Sequence, residues 1–137
     1  MISETRTWFK AEGATTEAIA ALRSASPIGV PERYYELLAF SNGGEGPLPV
    51  QPHNFCLDTA EMAAASARDG SHQEFFAKFF VFGGNGAGEL IAFDTRADAP
   101  WPIVAIDMTN INLEESVMLV ASEFEEFVAM IGLETGN

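Results

Sequence analysis

Residues 79–93 constrain the fold more tightly than any other stretch of the chain. Phe79-Phe80-Val81-Phe82 is a continuous apolar run closed by glycines, the pattern of a strand buried near the centre of a sheet. Gly83-Gly84-Asn85-Gly86-Ala87-Gly88 is a turn by composition, because glycine and asparagine reach positive φ at little cost. Leu90-Ile91-Ala92-Phe93 follows as a second strand, so the two form a hairpin. The other elements must be arranged around it.

Three more short apolar segments read as strands: Phe55-Cys56-Leu57, Ile103-Val104-Ala105-Ile106 and Met118-Leu119-Val120. Four segments read as helices. The first is capped by Thr15 or Thr16, presents Ile19 and Leu22 among small alanines, and ends before Pro27. The second opens at Val30-Pro31, with Pro31 suited to the first helical position, and carries Tyr34, Leu37, Leu38 and Phe40. Asn42-Gly43-Gly44 is expected to close it as a left-handed cap. The third is expected to start from Asp58, three residues before Glu61, and to run to about Arg68, where Asp69-Gly70 stops it. The last has Ser122 and Glu125 at capping-box spacing, then Phe124, Phe127, Val128 and Ile131 on one face, with Gly132 as terminator. The expected class is α+β in one domain over residues 1–137: helices first, then a largely antiparallel sheet, then a helix packed on it.

Charge narrows the function. Seven Lys+Arg against 20 Asp+Glu give 7 − 20 = −13, which repels phosphate backbones and anionic lipid and attracts cationic proteins. Nucleic-acid and membrane-surface binding are therefore not expected. Residues 1–68 hold 5 basic and 8 acidic side chains, a net of −3, whereas residues 69–137 hold 2 and 12, a net of −10. No Lys or Arg follows Arg96. The opening Met1–Trp8 has no leader pattern and no apolar run approaches the roughly 20 residues of a membrane span. The expectation is a soluble, cytoplasmic protein.

Candidate chemistry is sparse. A phosphate cradle at 83–88 would need a helix N-terminus or a lysine behind the glycines; instead Glu89 puts a carboxylate where the phosphate would sit. Cys56 with His53 and Asp58 is the only cluster resembling a reactive site, and its acidic, apolar neighbourhood suits a core cysteine better than a thiolate nucleophile. One cysteine excludes an internal disulfide and a multi-cysteine zinc site. His72 reads as a solvated loop residue. Asp94, Asp98 and Asp107 are candidates for an acid–base pair across strand ends, or simply turn residues. Trp101, between Pro100 and Pro102, reads equally as a loop anchor or an exposed interface residue. No enzyme, metal or cofactor is expected.

Three stretches in order resemble a known family. Val30-Pro31-Glu32-Arg33-Tyr34-Tyr35-Glu36-Leu37-Leu38 leading to Asn42-Gly43-Gly44-Glu45-Gly46 is similar to the opening motif LP..Y..FL...NGG.G of the SUKH superfamily, with Val30 where leucine is usual. Phe82-Gly83-Gly84-Asn85-Gly86-Ala87-Gly88-Glu89 with Phe93-Asp94-Thr95-Arg96 resembles its FG..G.GE.YAFD.R hairpin, and Val120–Phe127 resembles its closing VA.SFEEFL helix. The likeness runs from about residue 15 to 132. It implies an α+β fold with a central, largely antiparallel sheet and flanking helices, and a non-enzymatic role. Bacterial members resemble immunity proteins that neutralise polymorphic toxins by direct binding, and others, like the yeast cell-wall assembly regulator, act as interaction hubs.

The leading expectation is an immunity protein directed at a basic toxin domain of the nuclease or deaminase class. The alternatives are a regulatory scaffold and, last, an enzyme or small-ligand binder. Acidic and aromatic groups expected at the surface are the candidate contacts: Glu45, Glu89, Asp94, Asp98, Trp101, Glu114 and Glu115.

Overall fold

In the computed structural model the described residues are 2–26, 29–69, 78–107 and 116–134. The expectations for His72, Glu114 and Glu115 fall outside them. Along the chain the elements are β1 (Phe9–Lys10), α1 (Thr16–Ala25), α2 (Glu32–Phe40), β2 (Gly44–Pro47), β3 (Asn54–Leu57), α3 (Ala60–Asp69), β4 (Phe79–Gly84), β5 (Glu89–Asp94), β6 (Ile103–Asp107), β7 (Val117–Ala121) and α4 (Phe124–Met130). The strands form one antiparallel sheet whose spatial order is the chain order, β1 to β7, with β4 in the middle. The expected α+β class and the β4–β5 hairpin are both present.

Alternation along the central strands splits the apolar residues between two faces. Phe80, Phe82, Ile91, Phe93, Ile103 and Ala105 join Leu22, Tyr34, Leu37, Leu38, Ala63, Phe124 and Phe127 in the main core, so all four described helices serve one face of the sheet. Phe79, Val81, Ala92, Val104 and Ile106 form a smaller cluster on the other face. A bulge at Phe82, between Val81 and Gly83, leaves that residue in the main core with Phe80 and shifts the register of the glycine-rich end of β4 by one residue.

Tyr34 occupies the centre of the main core. Its ring meets Phe80, Phe82, Phe93 and Phe124 edge-on, at centroid separations of 6.0, 5.7, 6.0 and 6.2 Å. Edge-to-face pairs of this kind add about 0.5–1.5 kcal/mol each beyond the area they bury. The same tyrosine is fully buried and its hydroxyl has no hydrogen-bond partner. Burial, with the Asp58 charge adding to it, pushes its phenol above the ordinary value of 10.0.

Two strands escaped the sequence reading. β1 and β2 precede and interrupt the helical half, so the order is not helices first and then sheet. Gly44-Glu45-Gly46-Pro47 has no β propensity; its strand form comes from tertiary packing. A Cβ on Gly44 would lie 2.7 Å from the Trp8 ring and 2.8 Å from the Phe9 carbonyl oxygen, and one on Gly46 would lie 2.8 Å from the same ring. The Trp8 indole therefore rests directly on β2, and it stacks on Phe55 at 5.9 Å. Only glycine permits that approach.

The helix ends also differ in detail. Pro31 is the N-cap of α2, one place before the first helical residue. At the other end Ser41 is an extended C-cap, and the positive φ falls on Gly43 and Gly44, which turn the chain into β2 without forming a left-handed cap. The buried Ser41 hydroxyl donates to the Gly43 carbonyl (2.6 Å) and accepts from Trp8 Nε1 and the Ala11 amide. Asn42 crosses to α3, accepting from the Ala60 amide at 2.7 Å. Thr59, not Asp58, caps α3, accepting from the Met62 amide. In α4 the N-cap is Glu123 without a side-chain cap bond; the Ser122 hydroxyl bonds the Glu126 carboxylate, so the expected capping box is absent. Gly132, at φ +85°, ends α4 as expected, and Arg6 closes it by donating to the Ala129 and Ile131 carbonyls.

Two outcomes follow. Tyr34→Phe removes an orphaned buried hydroxyl while keeping every ring contact, and should raise stability by about 1 kcal/mol. The unfolded phenol ionises near pH 10 and the folded one does not, so the unfolded state binds fewer protons above that pH and wild-type stability falls as pH rises; the variant should lose the Tyr34 share of that fall in pH-dependent denaturant melts. Gly44→Ala, at φ +117° and against Trp8, should cost about 3 kcal/mol in the same measurement.

Candidate functional site

The carboxylates expected at the surface divide between two ends of the sheet. At the β4–β5 tip, Asn85 shapes the turn by accepting from the Ala87 and Glu89 amides through its side-chain oxygen. Its amide nitrogen donates to Glu89 Oε1 at 3.2 Å. Asn54 on β3 donates to the Asn85 carbonyl (3.0 Å) and to Glu45 Oε2 (2.9 Å). Two neutral amides thus hold Glu45 and Glu89 in place around one tip. Glu89 is also the register partner of Asp107 on β6, and like charges directly opposite each other destabilise a strand pair. The result is an acidic end built from Glu45, Glu89 and Asp107.

Asp94, Asp98 and Trp101 lie at the other end, where β5 leaves the sheet. Asp94 is only 9% exposed, so the expectation that it presents its charge to a partner does not hold. It grips Arg96, accepting from Nε (2.9 Å), Nη2 (2.7 Å) and the backbone N–H (3.0 Å). Burial works to raise the Asp94 carboxyl, but the Arg96 bonds outweigh it and hold it below the ordinary carboxylate value. The Arg96 guanidinium in turn covers the Phe79 ring at 5.1 Å. Asp98 is exposed. Trp101 is half-buried against the main core, and its Nε1 donates to the Ala97 carbonyl, so it anchors the β5–β6 loop. Asp107 and Asp94 are separated by the length of β5, about 16 Å, and make no acid–base pair.

The reactive cluster fares no better as a catalytic arrangement. Cys56 is half-buried in β3, beside Asn54 and beneath Gly86. Burial, then the Glu45 charge, push its thiol above the ordinary value, the reverse of what a nucleophile needs. His53 sits exposed in the β2–β3 turn at φ +67°. Among the described residues no three His, Cys, Asp or Glu side chains are grouped to hold a metal ion, and no helix is long and apolar enough to cross a membrane.

Sequence reasoning missed Asn54 and Asn85, which organise the acidic end. The glycine-flanked Asn85 was legible as a turn residue, but nothing local marks Asn54 as the bridge between two strands. It also missed the role of Asp94; its signal was Arg96 two places along, in the bend after β5 where an aspartate accepts from the backbone two residues on.

An antiparallel sheet with helices on one face and a glycine-rich central hairpin makes a small α+β domain. The model of the SMI1 / KNR4 family (SUKH-1) matches residues 13–130, and the chain belongs to that family. No curated protein matches the sequence at a significant level.

The Cys56 environment gives a direct check. Alkylation by iodoacetamide at pH 8 should be slower than for a free thiol, and Glu45→Gln should accelerate it about threefold by removing the nearby negative charge.

Proposed function

We propose that this chain is a non-enzymatic, cytoplasmic protein-binding module of the immunity type, which neutralises a basic toxin domain of the nuclease or deaminase class by direct contact. The observation that carries the reading is the acidic end: Glu45 and Glu89 are fixed by neutral asparagine amides and not by cations, so their charge is preorganised and uncompensated. Glu89 and Asp107 stand in register opposite one another, an arrangement that costs stability and gains value against a cationic surface.

The rest of the charge distribution supports it. Arg23, Arg33 and Arg96 are committed to Glu32, Glu125 and Asp94, and Arg6 to the end of α4. These four arginines therefore serve the fold, and among the described residues none of them neutralises Glu45 or Glu89 at the β4–β5 tip. Enzymes that act on nucleic acid present basic clefts, and an acidic inhibitor reaches them by steered, salt-sensitive association. The raised Cys56 thiol, the separation of Asp107 from Asp94 and the engagement of Asp94 by Arg96 argue against hydrolytic or nucleophilic chemistry.

The test is capture of partners on tagged protein from its own cell lysate at low and high salt, followed by binding kinetics. A single basic toxin-like partner, held more weakly as salt rises, is the expected result. The triple variant Glu45→Gln, Glu89→Gln, Asp107→Asn should slow association about tenfold at low salt with little change at high salt. Several unrelated partners, insensitive to those substitutions, would favour a scaffold and overturn the immunity reading.

A further inference from the structure

The β7 strand closes the sheet on the side away from β1, and its outer edge has no strand beside it among the described residues. The backbone register shows which of its groups face outward. The Asp94 amide donates to the Pro102 carbonyl, so along β6 residues 102, 104 and 106 bond towards β5, and Ile103 and Ala105 bond towards β7. Ala105 is opposite Met118, while Val104 is opposite Leu119 and Ile106 opposite Val117. The N–H and C=O groups of Val117 and Leu119 therefore point away from the sheet. Leu119 is 65% exposed, next to the buried Val104.

Edges like this are normally blunted by lysine, proline or a very short strand. Here the bulge at Val120 brings Ala121 onto the main-core face beside Val120 and leaves Val117–Leu119 as the open ladder. The surroundings carry one sign of charge: Asp107 lies next to Ile106 at one end of the edge, and Glu123 and Glu126 follow β7 at the other. No lysine or arginine occurs anywhere after Arg96. A second copy of the chain would bring the same carboxylates against these and is disfavoured. A strand carrying cations on both sides of an apolar residue is matched in hydrogen bonding, in apolar contact and in charge.

We propose that Val117–Leu119 is a strand-addition site for an extended cationic segment of a protein partner, paired antiparallel along β7 with an apolar side chain on Leu119 and Lys or Arg groups towards Asp107 and Glu123. The inference rests on the reading of a basic protein partner and adds where, and by what backbone geometry, that partner is held.

The probe is a synthetic peptide alternating lysine and valine, titrated into the full chain and followed by amide chemical shifts and hydrogen exchange. A peptide with glutamate in place of lysine is the control. The lysine peptide should bind, slow exchange of the Val117 and Leu119 amides about tenfold or more, and leave the glutamate peptide without effect. Leu119→Pro removes an outward donor that no β6 bond uses, so it should fold and weaken peptide binding about tenfold, whereas Leu119→Ala should weaken it less. Should the proline variant fail to fold, a peptide N-methylated at alternate valines makes the same test on the wild type. Equal binding by the blocked strand, or protection confined to the Glu45–Glu89 end, overturns the β7 site while leaving the cationic-partner reading in place. No peptide binding also overturns the site, and the lysate capture then decides the broader reading by itself.

Discussion

One tyrosine ring sets the spacing between the helical layer and the sheet. Tyr34 projects from α2 into the place where β4, β5 and α4 converge, and its ring is ringed by four phenylalanines contributed by those three elements. Edge-on packing fixes orientation as well as distance, because the positive rim of one ring seeks the negative face of the next. The phenylalanines also contact one another, Phe82 with Phe93 at 4.9 Å and Phe93 with Phe124 at 5.4 Å. The orphaned Tyr34 hydroxyl is the cost of placing a tyrosine there, and the surrounding aromatic contacts are large enough to carry it.

A second group of residues joins the chain's first segment to this core. Ser41 and Asn42, at the end of α2, take hydrogen bonds from Trp8, from Ala11 and from the start of α3. Gly44 and Gly46 then leave room for the Trp8 ring over β2. The Asn-Gly-Gly stretch is thus a structural junction: the asparagine caps a helix other than the one it follows, and the second glycine is required by a side chain more than thirty residues away.

Legibility followed the range of the forces involved. The β4–β5 hairpin, α1 with its Thr15 cap and the Gly132 terminator are written in local patterns of apolar residues and glycine, and all appear in the structure. β1 and β2 were hidden because their strand form is imposed by Trp8 and by pairing, against their own composition. The cap of α3 was misplaced because Asp58 and Thr59 stand side by side and pairing with Phe82 draws Asp58 into the sheet, and that of α4 because Ser122 bonds Glu126 and not the backbone of the first turn. At the candidate site, Glu45 and Glu89 were legible as acids, but their joining through Asn54 and Asn85 depends on strands brought together from distant sequence. The burial of Asp94 likewise depends on the β5 end and not on its residue type.

The order of the sheet carries a further consequence. Each strand pairs only with its predecessor and successor in the chain, β1 through β7; α1, α2 and α3 are excursions between neighbours, and α4 follows the last strand. No strand has to be inserted between two that are already paired. Assembly can begin at the four-residue tip between β4 and β5, where loop closure costs least entropy, and extend outwards one strand at a time in both directions. In such a sequence the aromatic residues at the middle of the sheet are those available to the earliest contacts, and the outermost strands, β1 and β7, join last.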